Sequence, residues 1–550
     1  MKNETVDVVV IGSGAGGAPV ALMLARAGAR VVILEKGRHL TAEDKVHDEI
    51  KVCRRNLFVP YPSDEPHTIR EGDGPSRRTA EGWTANVVGG ATVHFSGYFF
   101  RMHPVDMRLR STLGAIPGAT LADWPISYDN MEPYYTRVEH EIGMSGRWHM
   151  HPFEEPRSAD FPYPPLAEDP IAARIDEVAT GLGMHPFPTP RAIISEPRGD
   201  RAACAFCALC ADYACEVGAK SSTSVALLPA AVATGRCEIR TQTMATEVAV
   251  DADGRASGVV YRDAEGSGHF IGARCVVLAC SSIESARLLL LSRSARFPDG
   301  LGNSNRLVGK NLVFSGLGKG TARFRQPRGE PIHTRAFVQR SLQDFYLLDR
   351  PVDGVRKAGT ILFDWAHPNP ISTAERFSRS DEKGSPIWGK ALKDQLRAKA
   401  AGARNLHFEV FSEYLPSSGT YVDLDPKIKD RWGSPAARMT IGRHPLDIKA
   451  TQFLVDRGME VLRGLEPDEL GKETVGGATK FLQGGTCRFG RDPASSVLDP
   501  ECRLHEVPNV YVTDGSFLPN AGSIPITLTI FANSFRVADR IAARFRAREL

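Results

Sequence analysis

A chain of 550 residues, 42% hydrophobic and 24% charged, exceeds one ordinary domain and is long enough to bury a large core. A formal charge of +3 and the lack of any basic run with interleaved aromatics give no reason to expect a nucleic-acid partner. No apolar run approaches the ~18 residues of a membrane span, and MKNETVDVVVIGSG enters a strand with no room for an export signal. The expected compartment is therefore the cytoplasm, with export on a signal-bearing partner left open.

Val6 to Ile11 is a continuous β-branched run, as expected of a strand buried on both faces of a parallel sheet. The turn GSGAGG follows it, with Gly12, Gly14 and Gly17 in the G-x-G-x-x-G spacing. Ala18 to Ala27 reads as a helix and Ala29 to Leu34 as a second strand, closed by Glu35. In that arrangement Gly12 makes the tight turn, Gly14 lets a pyrophosphate approach the helix N-terminus, and Gly17 lets helix and strand pack closely. Glu35 stands where a carboxylate accepts hydrogen bonds from the adenosine ribose. The motif specifies a dinucleotide and leaves open whether it is FAD or NAD.

Further along, NVVGGATVHFSG (Asn86 to Gly97) carries a second glycine pair, Gly89 and Gly90, with His94 four residues after Gly90. Four of the ten cysteines fall in CAFCALCADYAC, where Cys204, Cys207, Cys210 and Cys215 have the spacing C-x2-C-x2-C-x4-C. This is close to the bacterial ferredoxin run without matching it. A metal or iron–sulfur cluster is one reading of the run, zinc included; packed or redox-labile thiols are the other. Residues 351–404 read as loop-rich, with Pro351, Pro368, Pro370 and Pro386, leading into the basic helix-like run Lys390 to Lys399. The simplest reading of that run is a solvated helix face. There is no internal repeat and no low-complexity tract.

Several of these blocks resemble the glucose–methanol–choline (GMC) oxidoreductases. The Asn86 to Gly97 stretch is similar to the family's second glycine motif, and CVVLACSSIESARLLLLS (Cys275 to Ser292) to the strand and helix in mid-chain. GTCRFGRDPASSVLD with PNVYVTDGSFLPNAGSIPITLTIFANSFRVADRI is similar to the closing signature. WPISYDNMEPYYTRVE (Trp124 to Glu139) and VDLDPKIKDRWGSP (Val422 to Pro435) resemble segments of bacterial gluconate and sugar dehydrogenases.

The resemblance implies an α/β fold. A Rossmann-like FAD domain would be assembled from residues 1–110, 200–320 and 475–550, with an α+β substrate domain, containing an antiparallel sheet, from 111–199 and 321–474. It implies FAD, contacted by Gly89, Gly90, Asp514 and Ser516, and raises a covalent flavin link at His94, as in the pyranose-oxidase pattern. The implied reaction is oxidation of a small-molecule alcohol by hydride transfer to the flavin, most simply as a dehydrogenase handing electrons to a small subunit or cytochrome. A GMC-fold flavoprotein with altered or lost alcohol chemistry is the alternative, as is the flavin subunit of an electron-transfer complex.

At the two places where the family holds its proton-handling side chains, this chain has Leu482 and Pro525. Leucine accepts no proton, and proline offers neither a side-chain donor nor a backbone N–H. Gln483, the neighbouring polar group, is no general base. Proton removal is therefore expected from the substrate domain, with His407 and His444 as candidates.

Overall fold

The computed structural model describes residues 4–52, 57–207, 209–325, 337–366, 371, 374, 375, 378, 385–400, 403–471 and 473–550. The β-branched run forms the strand Glu4–Ile11, with Val31–Leu34 parallel to it on one side and Gly268–Leu278 on the other. Cys237–Arg240 extends the sheet beyond Val31–Leu34. The far edge of Gly268–Leu278 is shared by an antiparallel hairpin, Met244–Val250 with Ala256–Arg262, and by the short parallel strand Val510–Val512. Val8 to Val10 are at most 1% exposed, because helices cover the sheet on both faces. One of these is Ala18–Arg26, against which the last helix, Thr527–Arg546, packs.

A second, antiparallel sheet is built around the long strand Lys310–Arg325, which lies between Ala403–Ser412 and Thr474–Thr486. Gly359–Trp365 and Arg340–Leu342 continue it outward. Its strands begin before 321 and continue past 475, so this sheet takes in residues that the expected division gave to the nucleotide part. Strand periodicity decides what each face meets. Gly316, Gly318 and Gly320 point at the helix Pro445–Gly464, where added Cβ atoms would meet Thr451 Oγ1 at 3.1 Å, Val455 Cγ2 at 2.4 Å and Met459 Sδ at 2.5 Å. The glycine stripe lets that helix lie close to the sheet, and Leu406, Phe408 and Val410 fill the core between them. The alternating residues, Leu317 and Lys319 on one strand and Glu409 and Phe411 on the other, face the opposite way into the main cavity.

A third sheet joins Tyr421–Lys429, Pro435–Ile441, His67–Glu71 and Arg77–Thr79. The stretch expected to be loop-rich contains the strands Val355–Lys357 and Gly359–Trp365, and Pro368 and Pro370 lie outside the described residues. Gly359 is required there, since a Cβ would meet Phe411 O at 2.0 Å. The basic run forms the helix Gly389–Ala400. No helix among the described residues is long and apolar enough to cross a membrane.

Candidate active site

An elongated cavity of about 550 Å³ runs between the nucleotide sheet and the antiparallel sheet. At one end, Gly12 (φ +101°) turns the chain so closely that a Cβ would meet Ala279 O at 2.4 Å, and at Gly17 one would meet Gly12 O at 2.0 Å. These two glycines are dictated by the protein's own packing. Gly14 is different, because its Cβ would come no nearer than 3.8 Å to any protein atom, that atom being Gly90 Cα. The backbones of Gly14 and Gly90 pack against each other and both line the cavity, so a pyrophosphate would run along the open side of the two turns, where neither residue carries a side chain to block it.

Hydrogen bonds tie the two glycine turns to Glu35. Its Oε2 accepts from Ser13 N (3.0 Å) and Ser13 Oγ (2.6 Å), and Oε1 from Gly37 N (2.7 Å). Ser13 Oγ in turn accepts from Gly89 N at 2.8 Å. Gly89 (φ +103°) is held further by Thr92 and Thr223, whose hydroxyls donate to its carbonyl. Burial pushes the Glu35 carboxyl up, opposed by these donors. Gly17 and Gly89 thus shape the site from behind its wall, whereas Gly12, Gly14, Glu35 and Gly90 form the wall itself.

Asp514 and Gly515 also line the cavity, in a turn that abuts the first glycine turn: a Cβ on Gly16 would meet Asp514 N at 2.9 Å. The Asp514 carboxylate is engaged by Ser516 N, Ser516 Oγ and Ser285 Oγ. Ser516 is fully buried and is not part of the wall. The expected contact at Ser516 is therefore corrected, since its hydroxyl shapes the Asp514 turn instead. His94 lines the cavity, stacked on Phe58 with centroids 5.4 Å apart, and its Nε2 donates to Thr84 O at 2.8 Å.

Leu482, Gln483 and Pro525 all line the cavity. Gln483 Nε2 donates to the carbonyls of Gly82 and Lys480, which fixes the side chain as a brace. His444 is not part of the site. It caps the helix Pro445–Gly464, with Nδ1 accepting from Leu446 N (3.2 Å) and Nε2 donating to Pro117 O (2.9 Å). His407 sits opposite Thr321 and Asp364 in the antiparallel sheet, on the same face as Glu409 but further along the strand and outside the cavity lining, and burial pushes its imidazole down.

The residues that sequence reasoning missed are Lys319 and Glu409, an ion pair in the wall facing the nucleotide sheet. Beside them Tyr98 donates to Asp364 Oδ2 (2.9 Å), which Arg191 also holds (2.8 Å). The available signal was the alternation His407, Glu409, Phe411 on a strand whose even positions are apolar.

Cys204, Cys207, Cys210 and Cys215 are free thiols. Burial pushes Cys204 up to about 11 and Cys210 up to about 12, and three of the four pack against Ile193, Ile194 and Phe337. Among the described residues no group of three or more His, Cys, Asp or Glu side chains is arranged to hold a metal ion. The run does not fit the expected cluster. Its loop is held instead by Lys220, whose ammonium donates to the carbonyls of Phe95, Cys210 and Tyr213, and through it Ala211 and Asp212 reach the cavity wall.

A parallel sheet with two glycine turns facing across one cavity, an acid ending its second strand, and a second sheet roofing the far end define a dinucleotide-dependent oxidoreductase. Residues 7–42 match an FAD binding domain, and residues 183–315 and 416–534 match GMC oxidoreductase models. The chain is 31% identical over 554 residues to paromamine 6'-oxidase of Streptomyces fradiae, covering 98% of this chain and 91% of that protein. It is 32% identical to 2-methyl-1,2-propanediol dehydrogenase of Mycolicibacterium austroafricanum, covering 98% and 96%. Its fold is similar to that of a formate oxidase of Aspergillus oryzae, with a TM-score of 0.65 at 15% identity over the whole of both chains. The chain belongs to the GMC oxidoreductase family, and is an FAD-dependent oxidoreductase acting on CH–OH groups.

Proposed function

We propose that the protein is a dehydrogenase for a polar, multiply hydroxylated alcohol. The observation that carries this reading is the composition of the cavity's far end. An apolar girdle of Leu317, Phe411, Leu482 and Pro525 adjoins a strongly polar wall of Lys319, Glu409 and Tyr98. FAD supplies the two-electron acceptor of the reaction. The chain's own part is to seat the dinucleotide along the Gly14 and Gly90 turns, hold the carbinol carbon in the apolar girdle away from water, and meet the hydroxyls of the alcohol with a paired cation and anion. The pair is electrically neutral, which suits hydroxyl groups as both donors and acceptors.

The test is anaerobic bleaching of the flavin by glycerol, glucose, gluconate, paromamine and 2-methyl-1,2-propanediol. At least one should reduce it, and reoxidation should be faster with an artificial acceptor than with oxygen. A second reading is favoured by the presence of Leu482 and Pro525 in the wall: a GMC flavoprotein with altered or lost alcohol chemistry. A flavin that stays yellow with all five alcohols would support it.

His94 is assigned to non-covalent contact. Its Nε2 is engaged as a donor to Thr84 O, so a bond from that atom to the flavin would forfeit a buried hydrogen bond. Acid precipitation should leave all yellow colour in the supernatant, and colour retained in the pellet would refute the assignment.

A further inference from the structure

Oxidising an alcohol to a carbonyl removes a proton from oxygen as well as an electron pair from the C–H bond. The two wall positions where the family resemblance places proton handling are Leu482 and Pro525, and neither side chain accepts a proton. Four ionisable groups in the nucleotide half of the wall are engaged, and Asp212 stands apart from the antiparallel sheet on the cysteine loop, tied to the second glycine turn by its N–H donating to His94 O. Glu35 is held by Ser13 and Gly37, Lys36 by Glu65, Glu284 by His67 and Arg287, and Asp514 by Ser285 and Ser516. His94 donates one nitrogen to Thr84 and sits on the nucleotide side, beside the second glycine turn.

On the opposite wall, Tyr98 gives its hydroxyl hydrogen to Asp364, and burial keeps the phenol neutral. Glu409 is the carboxylate there with capacity to spare. Its Oε1 takes the Lys319 ammonium, and Oε2 has no hydrogen bond among the described residues. Its side chain is 22% exposed, within a wall it shares with Phe411 two residues along the same strand. Burial pushes the carboxyl up, but Lys319 and His407 outweigh it and leave the group below its ordinary value, hence ionised at neutral pH. The titratable groups around it are Lys319 on the neighbouring strand Lys310–Arg325, His407 on its own strand, whose imidazole burial keeps uncharged at neutral pH, and Asp364 on Gly359–Trp365, itself neutralised by Arg191.

We propose that Glu409 is the proton acceptor of the alcohol oxidation, with Lys319 holding its carboxylate in place. The proposal rests on the alcohol-oxidising reading above. The substrate O–H bond breaks with its proton passing to Glu409 Oε2. The adjacent C–H bond would break with its hydrogen and electron pair passing together, as hydride, to the oxidised flavin bound in the cavity, and a C=O double bond would remain. Glu409 then releases its proton to solvent, restoring the ion pair. The step needs an ionised Glu409, so flavin reduction falls as pH drops through the carboxylate's pKa.

The experiment follows flavin reduction by stopped flow without oxygen, using whichever of the five alcohols reduces the wild type fastest. Glu409→Gln should retain one FAD per chain, lose about 100-fold or more in the limiting rate, and lose the acidic fall-off in its pH profile. Glu409→Asp should recover part of the rate and keep the fall-off. Lys319→Met should move the fall-off to higher pH, because removing the cation favours the protonated acid. The proposal is overturned if Glu409→Gln reacts within about threefold of wild type at saturating alcohol, if it raises only the concentration for half-saturation, or if both Glu409 variants are colourless. If no alcohol reduces the wild type, the functional reading fails first and the proposal with it.

Discussion

Replacing Gly14 by valine should give a folded but colourless protein. The expectation depends on the contrast among the three glycines of the first turn. A Cβ at Gly12 or Gly17 would strike backbone oxygen at 2.4 Å or 2.0 Å, so substitution there damages the fold itself. At Gly14 the nearest protein atom is 3.8 Å from where a Cβ would stand, and the residue is outside the positive-φ region. The protein can therefore take a Cβ there in ordinary contact with Gly90, whereas a side chain standing in the cavity would block the approach of the pyrophosphate. Purified Gly14→Val should show wild-type far-ultraviolet circular dichroism with less than about a tenth of the flavin absorbance, a loss above 1.4 kcal/mol in retention at matched conditions. Full retention of FAD would refute that placement of the pyrophosphate.

Lys357→Met should be among the most destabilising single substitutions in the chain. Lys357 is buried between Glu413 and Asp106 (3.0 Å) and donates to Ser523 Oγ at 2.6 Å. Tyr346 donates to the same Asp106 at 2.6 Å. Removing the ammonium leaves two buried carboxylates with no cation between them, a loss of about 3–5 kcal/mol. The pH dependence follows from the direction of the Glu413 shift. Burial already pushes that carboxyl up against the pull of Lys357, and without Lys357 it rises further. A carboxyl raised above its unfolded value binds more protons in the native state, so stability falls as pH rises above about 4. The variant's deficit in guanidinium unfolding should be largest near neutral pH and shrink toward pH 5. Adding Glu413→Gln should recover part of it, and a deficit independent of pH would show that the charges are not its cause. Because Ser523 lies two residues from Pro525, the cluster also fixes the loop that closes the apolar girdle.

The nucleotide half of the molecule was legible because its signals are local. Val6 to Ile11, the glycine spacing and Glu35 lie within one strand–turn–helix–strand unit, where each residue's role follows from backbone geometry alone. The substrate half was not. Lys319 and Glu409 are 90 positions apart, and nothing in either segment announces that their strands pair. The strand Gly359–Trp365 was hidden by the prolines around it, although its run Ile361 to Phe363 is apolar and fully buried. Histidine is a good guess for a base by type, but His444 was drawn into capping a helix, and His407 lies along its strand past the part that lines the cavity. Ser516 was misread for a related reason, since a polar residue in a ligand-binding turn can serve the turn rather than the ligand.

The parallel sheet that holds the dinucleotide takes strands from the first 34 residues, from 237–278 and from 510–512. During synthesis, the Val276–Leu278 end of that sheet's strand Gly268–Leu278 therefore waits uncovered while more than 200 further residues are added. The Asp514 turn and the helix that packs on Ala18–Arg26 come last of all. A nascent chain cannot hold the coenzyme until it is almost finished. Flavin capture thus acts as an inspection for completeness, since a product broken off before Val510 lacks one wall of the site and stays without its coenzyme, exposed to proteolysis.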